Sequence, residues 1–192
     1  SKYLVKQGAR VMITDTRQRT ELSEPLKALG DLKVEFELGG HTERSFQGAE
    51  LIVVSPGVNV QNHQLLQMAK AKATPITSEI ELAVSELEQP LIAITGTNGK
   101  STLTTMIGEM YKCDNKKAFI GGNLGTPLIE YINDDQPGQV AVAELSSYQL
   151  ELTDKMVPAV AIFTNIDQDH LDRYGTMENY IAAKKKLLKV CD

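Results

Sequence analysis

"ITGTNGKSTLTTMIGEM", residues 94–110, decides the fold. An apolar run enters it, Gly96 and Gly99 bracket a tight turn, and Lys100, Ser101 and Thr102 open a stretch with helical spacing. Strand, glycine loop and helix in that order form a phosphate-binding loop. The helix N-terminus aims unpaired N–H groups and partial positive charge at whatever sits above it. Lys100 adds a full charge on a flexible stem, and the hydroxyl of Ser101 or Thr102 can join a magnesium shell. The common spacing places a glycine five residues before Gly99, where this chain has Ile94, so the loop is a shortened variant. A Gly-Asn-Gly turn can also cap an ordinary helix. The whole string from Gly96 through Thr97, Asn98, Gly99, Lys100 and Ser101 to Thr102, set between strand and helix, favours ATP as the ligand.

Outward from the loop, strand and helix patterns alternate. Toward the N-terminus, 9–17, 33–38, 49–57 and 74–78 read as strands, the third closed by Pro56-Gly57. Residues 23–32, 62–73 and 79–87 read as helices, the first with Ser23 as its cap and Gly30 at its end. Toward the C-terminus, 117–121, 139–145 and 159–166 read as strands and 127–132 and 177–190 as helices. Such alternation implies α/β architecture with doubly wound parallel sheets. A seam falls at 88–90, "EQP", which divides the chain into units 1–89 and 90–192. Both ends look cut: 1–9 reads as the second half of a helix, and a doubly wound unit normally opens with a strand and glycine turn before it.

The 192 residues carry 42% hydrophobic and 23% charged side chains, a soluble globular balance, with a net charge of −5. That charge argues against a general nucleic-acid or membrane-surface binder, so any anionic ligand must be held by local positive charge and backbone amides. No apolar stretch approaches a membrane span and no signal peptide opens the chain, so neither nucleic acid nor membrane insertion is expected. Cys113 and Cys191 have no metal-ligand spacing and read as free thiols in a reducing cytoplasm.

In open parallel sheets, ligands sit beyond the carboxyl ends of the strands. Glu144 ends the strand "VAVAE", and His170 lies in the loop after "AVAIFTNI". Topology therefore gathers Lys100, Glu144 and His170 on one edge, a plausible magnesium shell beside a triphosphate. Taken singly, the glutamate reads as solvated and the histidine as a surface residue; the shared strand edge is what favours a site. Lys184 is sharper. On a helical wheel over 177–191 it falls in the apolar stripe of Met177, Ile181, Leu188 and Cys191, with Tyr180 and Leu187 on its flanks. A lysine there must snorkel, pair or change its chemistry. Burial lowers an amine's pKa, and carbon dioxide can then cap it as a metal-binding carbamate.

Four stretches, "TGTNGKST", "ELSSYQLE", "DQDHLDRYGT" and "NYIAAK", resemble the Mur ligase family, the ATP-dependent ligases of peptidoglycan precursor synthesis. Within it, "ELSSYQLE" is similar to the members that add D-glutamate, and "ITDTR" (13–17) and "VSPG" (54–57) resemble a uridine-nucleotide domain. The resemblance implies a truncated Rossmann-like N-terminal domain at 1–89 for UDP-N-acetylmuramoyl-L-alanine. It implies a truncated P-loop-type ATP-binding central domain at 90–192, with the C-terminal domain absent and the stretch inactive alone. Lys100 would contact the phosphates. Ser101 or Thr102, with Glu144, would hold one Mg2+; His170 and the carbamate of Lys184 would hold a second. Asn123, Ser146 and Gln149 would line the muramoyl-alanine side. Asp15, Thr16 and Arg17 would meet the uracil end, with Ser55, Pro56 and Gly57 close by. A cytoplasmic monomer that joins the substrate to D-glutamate through an acyl phosphate is the family expectation. Two alternatives stand beside it: another amino-acid adder or folate polyglutamylator, and a nucleotide switch.

Overall fold

The computed structural model describes residues 1–134 and 138–188. It divides into two compact units, one of residues 1–52 and 58–76, the other of 53–57 and 77–192.

The first unit holds α1 (Lys2–Lys6), β1 (Val11–Asp15), α2 (Ser23–Lys27), β2 (Val34–Leu38), α3 (Glu43–Phe46) and α4 (Gln64–Ala71). Strands β1 and β2 pair in parallel from Val11 opposite Val34 to Asp15 opposite Leu38. Tyr3, Val11, Leu22, Leu66 and Ala69 are its buried apolar residues. Ser23 is the first residue of α2 and not its cap: Leu22 stands at the cap position and is buried, so apolar burial decides where this short helix starts. Strands β3 (Ile52–Val54) and β4 (Ile76–Ser78) form a separate two-stranded pair. The N-terminal half is thus α/β, and among the described residues its strands form two pairs, β1-β2 and β3-β4.

The second unit adds α5 (Glu79–Glu86), β5 (Leu91–Thr95), α6 (Lys100–Cys113), β6 (Ala118–Gly122), α7 (Leu128–Ile132), β7 (Val140–Glu144), α8 (Ser147–Glu151), β8 (Val160–Phe163), α9 (Leu171–Tyr174) and α10 (Met177–Lys185), which continues as a 3-10 turn, Lys186–Leu188. Its four strands are ordered β6-β7-β5-β8 and all pair in parallel. The central strands are apolar on both faces, as a covered parallel sheet requires. On β5 and β7, Leu91, Ala93, Ala141 and Ala143 face a core built with Ile80, Leu128, Tyr131, Leu150 and Leu187. Ile94, Val140 and Val142 face the other way, toward Leu103, Ile107 and Tyr111 of α6. Those three recur every four residues, so one stripe of α6 covers the sheet. Gly108 lets α6 lie close, because a Cβ there would run into the Ile120 side chain.

This packing explains why the compact units do not divide at the 88–90 seam. Helix α5 lies before it in sequence, yet Ile80 and Ala83 are fully buried in the second unit's core.

Candidate active site

Strands β5 and β7 lie side by side, and the chain leaves them toward opposite faces of the sheet, into α6 and α8. A crevice at such a switch point is where open α/β sheets bind ligands. Thr95 ties the two strand ends together, its hydroxyl donating to the Leu145 carbonyl at 2.8 Å.

The phosphate loop follows β5. Gly96 has φ +141°, and a Cβ there would strike the Thr164 hydroxyl, so glycine is required. Gly99 caps α6 in the left-handed region, φ +81°. The loop is clamped to the chain leaving β8. The Thr97 N–H donates to the Asn165 carbonyl at 3.0 Å and the Asn98 N–H to Asn165 Oδ1 at 2.9 Å. The Asn98 carbonyl accepts from Asn165 Nδ2 at 3.0 Å and Thr164 Oγ1 at 2.8 Å. The first-turn amides of α6, at Lys100 to Thr102, have no carbonyl four residues back within the helix and face an incoming anion. Lys100 folds over the loop, its Nζ donating to the Thr97 carbonyl at 2.7 Å.

Glu144 is buried at the end of β7 and accepts from Ser101 Oγ at 2.6 Å and Asn123 Nδ2 at 2.9 Å. Of the two candidate hydroxyls, Ser101 therefore meets the carboxylate. Thr102 faces outward, beside Met106 and Glu109. Asn123 is itself placed by its N–H, which donates to the Glu144 carbonyl at 2.8 Å.

Lys184 is 2% exposed. Its Nζ donates to the Gly96 carbonyl at 2.7 Å and lies 4.9 Å from the Tyr180 ring centre. Burial, reinforced by the Lys100 charge, lowers its pKa to about 8, against the pull of Asp169 and Glu144. The buried face of α10 is Tyr180, Ala183, Lys184 and Leu187, not the stripe centred on Met177, Ile181 and Leu188. Met177 and Ile181 are only half-buried, and the 3-10 turn after Lys185 rotates Leu188 out to 40% exposure. Cys191 lies outside the described residues; Cys113 is exposed on α6.

Lys100, Asn123, Ser146, His170 and Lys184 line one cavity of about 250 Å³. Ser147, Tyr148, Asp169 and Tyr180 complete its wall and were not among the expected site residues. His170 takes φ +52° at the start of α9, and its ring packs against Tyr148, tilted by 41° with centroids 4.8 Å apart. Tyr180 joins α10 to the phosphate loop, its hydroxyl 3.1 Å from Thr97 Oγ1, and burial raises its pKa. Gln149 is not on the cavity wall. It is buried, and its side chain accepts from the Ser146 N–H at 2.9 Å in a reciprocal helix cap. Ser146 and Gln149 stand at the Ser-x-x-Gln spacing of a capping box, a local signal for α8 that the reading of the sequence by periodicity passes over. Among the described residues, no three histidine, cysteine, aspartate or glutamate side chains form a metal-binding group. The expected second metal set thus depends on Lys184 changing from cation to anion.

Ser55, Pro56 and Gly57 form a turn in the second unit, where the Gly57 carbonyl faces Arg173 Nη1 at 3.4 Å. Asp15 and Arg17 lie in the first unit and pair with each other at 2.7 Å, which holds the Asp15 pKa down at about 2. Thr16 lies between them, exposed.

The family model described as the Mur ligase middle domain matches residues 94–192, and that of the MurD-like N-terminal domain matches residues 1–78. Proteins named UDP-N-acetylmuramoylalanine–D-glutamate ligase are similar along nearly the whole chain. The one from Geotalea daltonii is 44% identical over 189 residues, and that from Geotalea uraniireducens 46%, each covering 98% of this chain. The one from Bdellovibrio bacteriovorus is 38% identical over 187 residues. The chain spans 42% of the length of the two Geotalea relatives. The solved structure of UDP-N-acetylmuramate–alanine ligase from Thermotoga maritima shares the fold, with a TM-score of 0.56 and 23% identity over 97% of this chain and 43% of its own. With the middle-domain match alone reaching over more than half of its residues, the chain belongs to the Mur ligase family.

Proposed function

We propose that the protein carrying this chain is a cytoplasmic, monomeric ATP-dependent ligase that joins D-glutamate to UDP-N-acetylmuramoyl-L-alanine. The chain supplies its uridine-substrate domain and most of the site that handles phosphate. The supporting observation is the convergence of Lys100, Asn123, Ser146, His170 and Lys184 on one cavity at the carboxyl ends of β5 and β7. The similarity to relatives named as D-glutamate ligases supports the reading within the family.

In this reading the alanine carboxylate attacks the γ-phosphorus of ATP, giving an acyl phosphate and ADP. The D-glutamate amine then forms the amide and phosphate leaves. The transferred group is strongly anionic, so catalysis is mainly positioning and charge neutralisation. Lys100 and the first-turn amides of α6 hold the phosphates, while Asn123 and Ser146 face the muramoyl-alanine end. Asp15, Thr16 and Arg17 of the first unit, and Ser55, Pro56 and Gly57 of the second, serve the uridine end.

The Ser101 hydroxyl and Glu144 carboxylate are hard oxygen donors already 2.6 Å apart, and they fit magnesium, which neutralises phosphate charge when bound. His170 and Lys184 fit a second magnesium once carbon dioxide has added to the neutral Lys184 amine, giving a carbamate and releasing a proton. The remaining N–H of that carbamate can still donate to the Gly96 carbonyl.

The test is phosphate release by the protein at the full length of its relatives, with ATP and UDP-N-acetylmuramoyl-L-alanine. D-glutamate should support release, and L-lysine or meso-diaminopimelate should not. Release with either of those and not with D-glutamate would reassign the amino acid. Release without amino acid or muramoyl substrate would make the protein a nucleotide switch.

A further inference from the structure

We propose that Arg173 is a positioning residue that ties the turn Ser55–Gly57 to the wall of the nucleotide cavity, and that it thereby sets the affinity for the uridine substrate. The inference rests on the reading of Ser55–Gly57 as substrate-binding. Arg173 does not line the cavity. Its side chain is 12% exposed, and burying a guanidinium is costly unless it is well paired.

Two chain segments, α8 and the turn at Gly57, meet on this one group. Nη2 and Nε donate to the two carboxylate oxygens of Glu151 at 2.7 and 3.3 Å, the planar fork that only arginine offers. Nη1 reaches the Gly57 carbonyl at 3.4 Å. The guanidinium carbon lies 5.3 Å from the centre of the Tyr148 ring, within cation–π range. Tyr148 and Glu151 are three residues apart on α8, so they share a face, and Arg173 braces both. Tyr148 in turn packs against the His170 ring, and the backbone N–H of Arg173 donates to the His170 carbonyl at 3.0 Å. His170 has an uncommon backbone conformation that needs support from its surroundings. A guanidinium bound to Glu151 thus has one arm on the substrate-side turn and one face on the aromatic stack of the cavity. Lysine keeps the charge but cannot hold the fork and the Gly57 carbonyl together.

The experiment compares wild type, Arg173→Lys and Glu151→Gln in the full-length protein. It reads steady-state KM for each substrate and hydrogen exchange of the amides at 55–59. Both variants should raise KM for UDP-N-acetylmuramoyl-L-alanine about tenfold, the scale of one lost charge-assisted contact, and leave KM for ATP within about twofold. Exchange at 55–59 should accelerate in both. Equal rises in the two KM values, or a muramoyl-substrate KM that stays at wild type, would overturn the proposal. If wild type itself releases no phosphate with D-glutamate, the functional reading fails, and exchange alone decides the strut. Faster exchange at 55–59 in the variants upholds it, and unchanged exchange removes it. Glu151→Gln keeps the question answerable should Arg173→Lys not fold.

Discussion

At Lys184, burial and charge are in conflict, and the proposed carbamate gives the conflict a chemical use. An exposed lysine titrates near 10.5, so at pH 7 well under 0.1% of it is the neutral amine that attacks carbon dioxide. With the pKa lowered to about 8, roughly a tenth is neutral at the same pH. The folded chain gives up the proton more easily than the unfolded one. Lys184 therefore disfavours folding below pH 8, and the cost fades as pH rises from about 8 toward 10.5. Carbamate formation in 13C-labelled bicarbonate should accordingly increase across pH 7 to 8.5 and vanish in Lys184→Arg, as read by a 13C carbonyl signal in NMR. A signal that persists in the variant would place the modification elsewhere. The lysine's anomaly was legible in the sequence as a charge within an apolar stripe. Its partner, the Gly96 carbonyl 88 residues away, was not, because no local pattern encodes a hydrogen bond across the sheet edge.

At the scale of the element, the phosphate loop gets its shape from a neighbour. Asn165 and Thr164 saturate the polar backbone at Thr97 and Asn98, which leaves the first turn of α6 as the unsatisfied surface. Asn165→Ala removes the two side-chain bonds of this clamp, each worth about 1 kcal/mol net. The variant should lose about 1–3 kcal/mol of stability to urea and bind ATP several-fold more weakly, as read by calorimetry. Unchanged ATP affinity would show that the loop holds its shape unaided. Strands β5 and β7 and helix α6 were readable from the sequence because long apolar runs and a four-residue stripe carry strong periodic signals. Helices α8 and α9, of five and four residues, are too short to show a period. They exist because tertiary partners hold them, such as Glu151 with Arg173, and together with the four-residue α3 they were helices missed.

At the scale of the molecule, the "EQP" break marks a loop and not an edge of packing. Helix α5 precedes that break, but its residues complete the second unit. Ile80 and Ala83 fill the core beneath Leu128 and Tyr131. Its carboxylates satisfy backbone donors elsewhere in that unit. Glu79 accepts from the Ile129 N–H at the start of α7 at 2.7 Å. Glu81 accepts from the Asp154 N–H at 3.1 Å and the Lys155 N–H at 3.2 Å. Burial raises the Glu79 pKa despite that bond, so the group favours folding most when protonated and its contribution declines as pH rises through the raised value. A polypeptide of residues 90–192 would strip these acceptors away and bare the Leu128–Tyr131 face to water, each lost polar partner costing about 1–3 kcal/mol. It should show helical far-UV dichroism, weak near-UV dichroism and strong dye binding, the signature of lost side-chain packing. A polypeptide of 77–192 keeps α5 and should show a cooperative urea transition. A cooperative transition of equal midpoint in 90–192 would mean that the sheet and α6 suffice, and that the boundary lies at the seam the sequence suggests.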